Sequence, residues 1–96
     1  MIVDVHTHCL QPDHLSPSAQ RSMERAGYPP MQPLAPEVYD RDMAVVDRAI
    51  VFGIRGAATG VRTPNDFTVQ WVGRDPEKLI GFMALDPMED DHMEEF

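Results

Sequence analysis

The residues best suited to chemistry in this chain are two histidines separated by a single residue, His6 and His8, closing the run Asp4-Val5-His6-Thr7-His8. An apolar, β-branched lead-in, Ile2-Val3, makes the run read as a strand. Side chains alternate along a strand, so Asp4, His6 and His8 are expected on one face and Val3, Val5 and Thr7 on the other. At roughly 3.3 Å per residue the two histidines stand about 6.6 Å apart along the strand. Both imidazoles can then converge on one cation at nitrogen–metal distances of about 2.0–2.1 Å, which adjacent residues on opposite faces cannot do. The expected cofactor is a divalent metal, zinc first. A bare His-X-His pair also occurs without any metal, and only its setting separates the two cases. Asp4 reads either as a polar support beneath the pair or as a buried strand aspartate held by hydrogen bonds.

Other reactive residues carry less. Cys9 adjoins His8 but has no identifiable partner base, so it reads as a small buried thiol. His14 and His92 are expected in solvent. Arg55 and Arg62 could attract a carboxylate substrate at the rim of a site, or simply be solvated loop arginines. Phe67, Trp71 and Phe82 read as core.

The elements that must position these residues follow from apolar patterning. Ile2–His8, Arg48–Ile54 and Leu79–Leu85 read as strands, the last two nearly continuous in apolar residues, as parallel strands covered on both faces tend to be. Pro36 opens a helix through Tyr39, Met43 and Val46. Asn65 is the expected N-cap of a second helix, with Asp66 in its first turn and Asp75-Pro76 ending it. The order β-α-β-α-β implies a parallel sheet. In such sheets catalytic groups emerge at the C-terminal ends of strands, where His6 and His8 fall. Residues 10–36 hold six of the nine prolines and form a long connection, with a short helix capped by Ser16, opened by Pro17 and stopped by Gly27. Asp86-Pro87-Met88-Glu89 reads as a further helix start with an acidic first turn.

Sixteen acidic residues against eight basic ones give a net charge of −8, with the basic residues scattered. No basic patch offers itself to phosphates, so nucleic acid is not an expected partner, and neither is an anionic membrane. The single cysteine rules out an intrachain disulfide and fits a reducing compartment; with no secretory leader apparent and no long apolar run, a cytoplasmic location is expected.

Ile2–Leu10 (IVDVHTHCL) resembles the first strand of the amidohydrolase superfamily. Val46–Gly53 (VDRAIVFG) and Asn65–Pro87 (NDFTVQWVGRDPEKLIGFMALDP) are similar to the second strand and the helix 2–strand 3 region of its amidohydrolase-2 branch, which includes aminocarboxymuconate-semialdehyde decarboxylase. The resemblance implies an α/β fold built as the first three β/α units of a TIM (β/α)8 barrel over residues 1–96. It implies that His6 and His8 ligate a catalytic metal that acts as Lewis acid and water activator, and that further ligands, two histidines and an aspartate, lie on later strands. It implies a hydrolase or non-oxidative decarboxylase of small, often aromatic, carboxylic acids. A barrel of this type takes roughly 250 residues, so 96 residues read as a truncated N-terminal portion, inactive alone, with weak metal affinity and a tendency to associate, including as a homo-oligomer. Val45 departs from the glycine usual before the VDRA-type segment, so the preceding helix must end differently. Two rival readings remain: a metal-dependent phosphoesterase or nuclease barrel of the TatD or PHP type, whose opening His6-Thr7-His8-Cys9-Leu10 also matches, and an α/β remnant without catalysis.

Overall fold

A computed structural model describes all residues, Met1–Phe96. Three parallel strands form the main sheet in the order β1 (Val3–Thr7), β2 (Arg48–Phe52), β5 (Leu79–Phe82). Parallel neighbours need crossovers. One is the long connection containing α1 (Pro17–Arg25) and α2 (Pro36–Asp42); the other contains α3 (Asn65–Val72). The chain is therefore α/β with a parallel sheet, and each strand is shorter than its apolar run.

Local chemistry explains each helix. The Ser16 hydroxyl accepts from the Ala19 amide at 3.2 Å, Pro17 opens α1, and Gly27 follows it at φ 87°. Pro36 opens α2. Valine at position 45 is never asked to adopt a left-handed conformation, because α2 stops at Asp42 and the chain leaves through tight turns, with Val46 donating to the Met43 carbonyl at 3.0 Å. Asn65 is the first residue of α3 rather than its cap. Its side-chain amide is drawn elsewhere, accepting from the Ala84 amide at 2.9 Å and donating to the Ala84 carbonyl at 3.0 Å, which ties α3 to the end of β5.

Two of the crossover helices, α2 and α3, cover the same face of the sheet. Ala49, Val51 and Leu79 are buried there with Cys9, Tyr39 and Trp71 as a single core. The opposite face has no helix on it. Ile80 and Phe82 are 45% and 54% exposed, stacked in register with half-buried Ile50 and Phe52. The expectation of strands covered on both faces is thus corrected: their apolar runs are continuous, but only one layer of cover is present. The molecule is accordingly a slab of 39 × 36 × 18 Å.

One feature has no counterpart in the sequence reading, and a second differs from it. Beyond β2, an antiparallel pair, β3 (Arg55–Gly56) and β4 (Val61–Arg62), folds back, turning at Gly60 with φ 79°. A Cβ on Gly60 would stand 2.5 Å from the Ser16 hydroxyl oxygen, so the turn needs glycine for both conformation and space. After β5, residues 86–96 cross back over this hairpin. Asp86 accepts from the Met88 and Ala57 amides at 2.9 and 3.0 Å, so it caps a turn rather than a full helix, and α4 (His92–Glu95) is a single turn.

Candidate metal centre

The site begins with an irregularity in β1. Asp4 is in register with Ala49, but Thr7 is in register with Val51, so one extra residue is accommodated between them. Such a bulge shifts the alternation by one, and it re-aims the side chains that follow. Asp4 consequently lies beside buried Ala49 on the helix-covered side, not on the face of the histidines; the expectation that Asp4, His6 and His8 share one face is corrected for that reason. The aspartate still serves the bulge, its Oδ1 accepting from the His6 backbone amide at 3.0 Å. It touches the histidine's main chain and not its ring.

Thr7 anchors the strand between the two histidines. Its hydroxyl donates to the Ile50 carbonyl at 2.9 Å and is 3.0 Å from the Tyr39 hydroxyl, tying β1 to β2 and to α2. With Thr7 pointing into the core, His8 points the other way, onto the open face. Its Nδ1 is 2.8 Å from the Phe52 carbonyl. A carbonyl only accepts, so Nδ1 carries the proton and Nε2 keeps its lone pair. His6 brings its own Nε2 to 3.2 Å from that of His8, with the rings edge to face at 85°. The ring of Phe52 backs both imidazoles, with centroids 4.8 and 4.7 Å away.

Without a metal this contact is a hydrogen bond, His6 Nε2–H donating to His8 Nε2, and its length is also close to what a shared cation would require. Two nitrogens bound at about 2.0–2.1 Å with a tetrahedral angle between them lie about 3.3–3.4 Å apart. The pair fits a zinc-type ion in ligand chemistry, in spacing and in the tautomer of His8. It supplies only half of a tetrahedral shell, and no group of three or more His, Cys, Asp or Glu residues in the chain could hold a metal.

Phe52 and its carbonyl were not singled out from sequence. Phe52 ends a strand and follows no motif; only the register of β1 against β2 puts it under the histidines.

The remaining candidates are placed elsewhere. Arg55 is not an open rim arginine: its side chain is 1% exposed and bonded to Glu89, with Glu95 at 3.5 Å and Asp91 at 3.9 Å. Burial pulls its pKa down, but the hydrogen bond and charge of Glu89 and the other two acids outweigh that and raise it. Arg62, half-exposed, joins the same cluster through Glu89 at 3.0 Å. The local sequence could not disclose this, because the acids come from the segment 86–96. His14 is buried rather than solvated, its ring edge-on to Phe67 and its Nδ1 accepting from the Gln11 amide at 3.1 Å; burial lowers its pKa. His92 is half-buried, with its Nδ1 2.7 Å from the Glu89 carbonyl. Cys9 is fully buried beside Thr68, and burial raises its pKa.

No helix is long and apolar enough to cross a membrane. No protein-family model matches this chain, and comparison with curated proteins and with solved structures finds no match.

Proposed function

We propose that His6 and His8 are the first two metal ligands of a metal-dependent hydrolase or carboxy-lyase acting on small, often aromatic, carboxylic acids, of the amidohydrolase type. One observation carries the reading: two Nε2 atoms 3.2 Å apart at the end of a parallel strand, one of them held as a lone-pair donor by the Phe52 carbonyl. The bulge in β1 supports it, because irregularities of this kind cluster beside active sites. The open apolar face beneath the histidines also supports it. Parallel sheets of both barrels and doubly wound folds carry cover on both faces, and Phe52, Ile80 and Phe82 lie where further strands or side chains would pack.

When bound, a divalent ion such as Zn²⁺ would supply Lewis acidity and a water of lowered pKa. The chain's own residues hold and orient: His8 keeps one tautomer through Phe52, Asp4 fixes the His6 backbone, and Thr7 pins the strand between them. His6 and His8 would supply two of the three protein ligands usual in catalytic zinc sites.

Calorimetric titration with Zn²⁺ tests the reading. Binding that disappears in His6→Ala supports it; binding unchanged in that variant removes it. A TatD- or PHP-type phosphoesterase would use the same pair, and a polypeptide carrying the remaining ligands would separate the two classes by cleaving a phosphoester rather than releasing carbon dioxide.

A further inference from the structure

We infer that the cavity between the start of α1 and the β3–β4 hairpin binds a small uncharged aromatic molecule, whose acceptor oxygen takes a hydrogen bond from His14 Nε2. The cavity holds about 590 Å³, within the roughly 300–1,000 Å³ usual for ligand pockets. His14, Leu15 and Pro17 form one wall, Gly60 and Arg62 a second, and Phe67 of α3 a third. The walls are tied together, because the Ser16 amide donates to the Gly60 carbonyl at 2.7 Å and Leu15 bridges Val61. Every lining residue lies between Asp13 and Phe67, so the cavity owes nothing to the bare sheet face or to the histidines of β1.

His14 is the group that points to a ligand. It is 5% exposed, and its ring sits edge-on to Phe67 at 4.7 Å. Its Nδ1 accepts from the Gln11 amide, so the ring is neutral and its proton is on Nε2. Burial, which lowers the pKa of His14, keeps it neutral at pH 7. That Nε2–H has no hydrogen-bond partner in the protein, although the ring is nearly enclosed and lines the cavity. Buried donors are almost always paired, and an acceptor inside the cavity completes this one.

Charge selects the class of ligand. Asp13 Oδ1 stands 3.9 Å from the same nitrogen, too far to bond it and close enough to repel an anion. The charge of Arg62 is already matched by Glu89 at 3.0 Å and Asp91 at 3.7 Å. A neutral acceptor such as an amide carbonyl meets no such repulsion, and Leu15, Pro17 and Phe67 offer its ring apolar surface.

Proton–nitrogen correlation spectra of the four histidine rings, with benzamide titrated into the purified chain, test the inference. Benzamide is expected to move the His14 Nε2 resonance to saturation and to leave those of His6 and His8 in place. Benzoate, similar in shape but charged, is expected to bind more weakly. His14→Asn keeps an acceptor for the Gln11 amide and removes the donor. It should weaken benzamide about two- to tenfold, the worth of one neutral hydrogen bond. Circular dichroism checks that this variant folds; where it does not, the spectra of the unaltered chain decide. Benzamide that leaves His14 unmoved overturns the site, and so does undiminished affinity in a folded His14→Asn. Benzoate bound as tightly as benzamide overturns the uncharged class and the inference with it. None of these outcomes bears on zinc binding by His6 and His8, which is judged by its own titration.

Discussion

At the scale of single residues, the candidate site is held by hydrogen bonds from outside it. Thr7 is the case with the clearest consequence. Its hydroxyl is the one group joining β1 to both the Ile50 carbonyl and the Tyr39 hydroxyl. Thr7→Val keeps the shape but leaves two buried polar atoms without their partner, which costs about 1–3 kcal/mol. Urea unfolding should show that loss, and Zn²⁺ affinity should fall with it because the strand between the histidines is no longer pinned. Cys9 is expected to be inert. It is fully buried, and burial raises its pKa, so little thiolate forms at neutral pH. A thiol reagent at pH 7 should label the native chain far more slowly than the chain in denaturant; equal rates would contradict the packing of Cys9 against Thr68. His6 and His8 were visible at once as a pair because alternation along a strand puts residues i and i+2 on one face. Phe52 was not, because its part is played through a main-chain carbonyl, which every residue has.

At the scale of elements, two turns make the hairpin and its cover. Gly60→Ala would force a positive φ of 79° on a side chain and press its Cβ on Ser16 and Ala19. Such a conformation costs on the order of 1–3 kcal/mol, and thermal denaturation should register it. The cover is the segment 86–96, held by acids. Asp86 has its pKa lowered by the Met88 and Ala57 amides, and Glu89 by its bond to Arg55 and then by Arg62. A carboxylate whose folded pKa lies below its unfolded value stabilises above the unfolded value and loses that contribution as pH falls through the folded one. Residues 86–96 should therefore be attached at neutral pH and come away as pH drops below the ordinary carboxylate range. Amide hydrogen exchange of α4, rising in acid before the main sheet opens, would show it. Simultaneous loss of both would mean the segment is not a separate unit. This element was legible only as a helix start, since the arginines it covers lie more than twenty residues upstream.

At the scale of the whole molecule, the dominant fact is one uncovered apolar face. Phe82 and Ile80 are half-exposed beside Phe52, on a slab only 18 Å thick. Contiguous exposed apolar surface of this kind marks interaction sites. The native chain should bind a hydrophobic dye at neutral pH, and Phe82→Ser should reduce the fluorescence. An unchanged signal would mean the dye binds elsewhere. The sheet order β1-β2-β5 with α2 and α3 on one side is a parallel α/β arrangement of the kind found in barrels and in doubly wound sheets alike.

What the sequence determined by itself was local: apolar runs that become parallel strands, prolines and Ser16 that start helices, and a histidine pair on a strand. These depend on interactions within a few residues, which spacing encodes directly. The tertiary structure alone decided the bulge that turns Asp4 away from His6, the Phe52 carbonyl that selects the tautomer of His8, the acids that occupy Arg55, and which face of the sheet stays bare. Each of these joins residues far apart in the chain, and pairing at that range is set by strand register and packing, not by the order of neighbouring side chains.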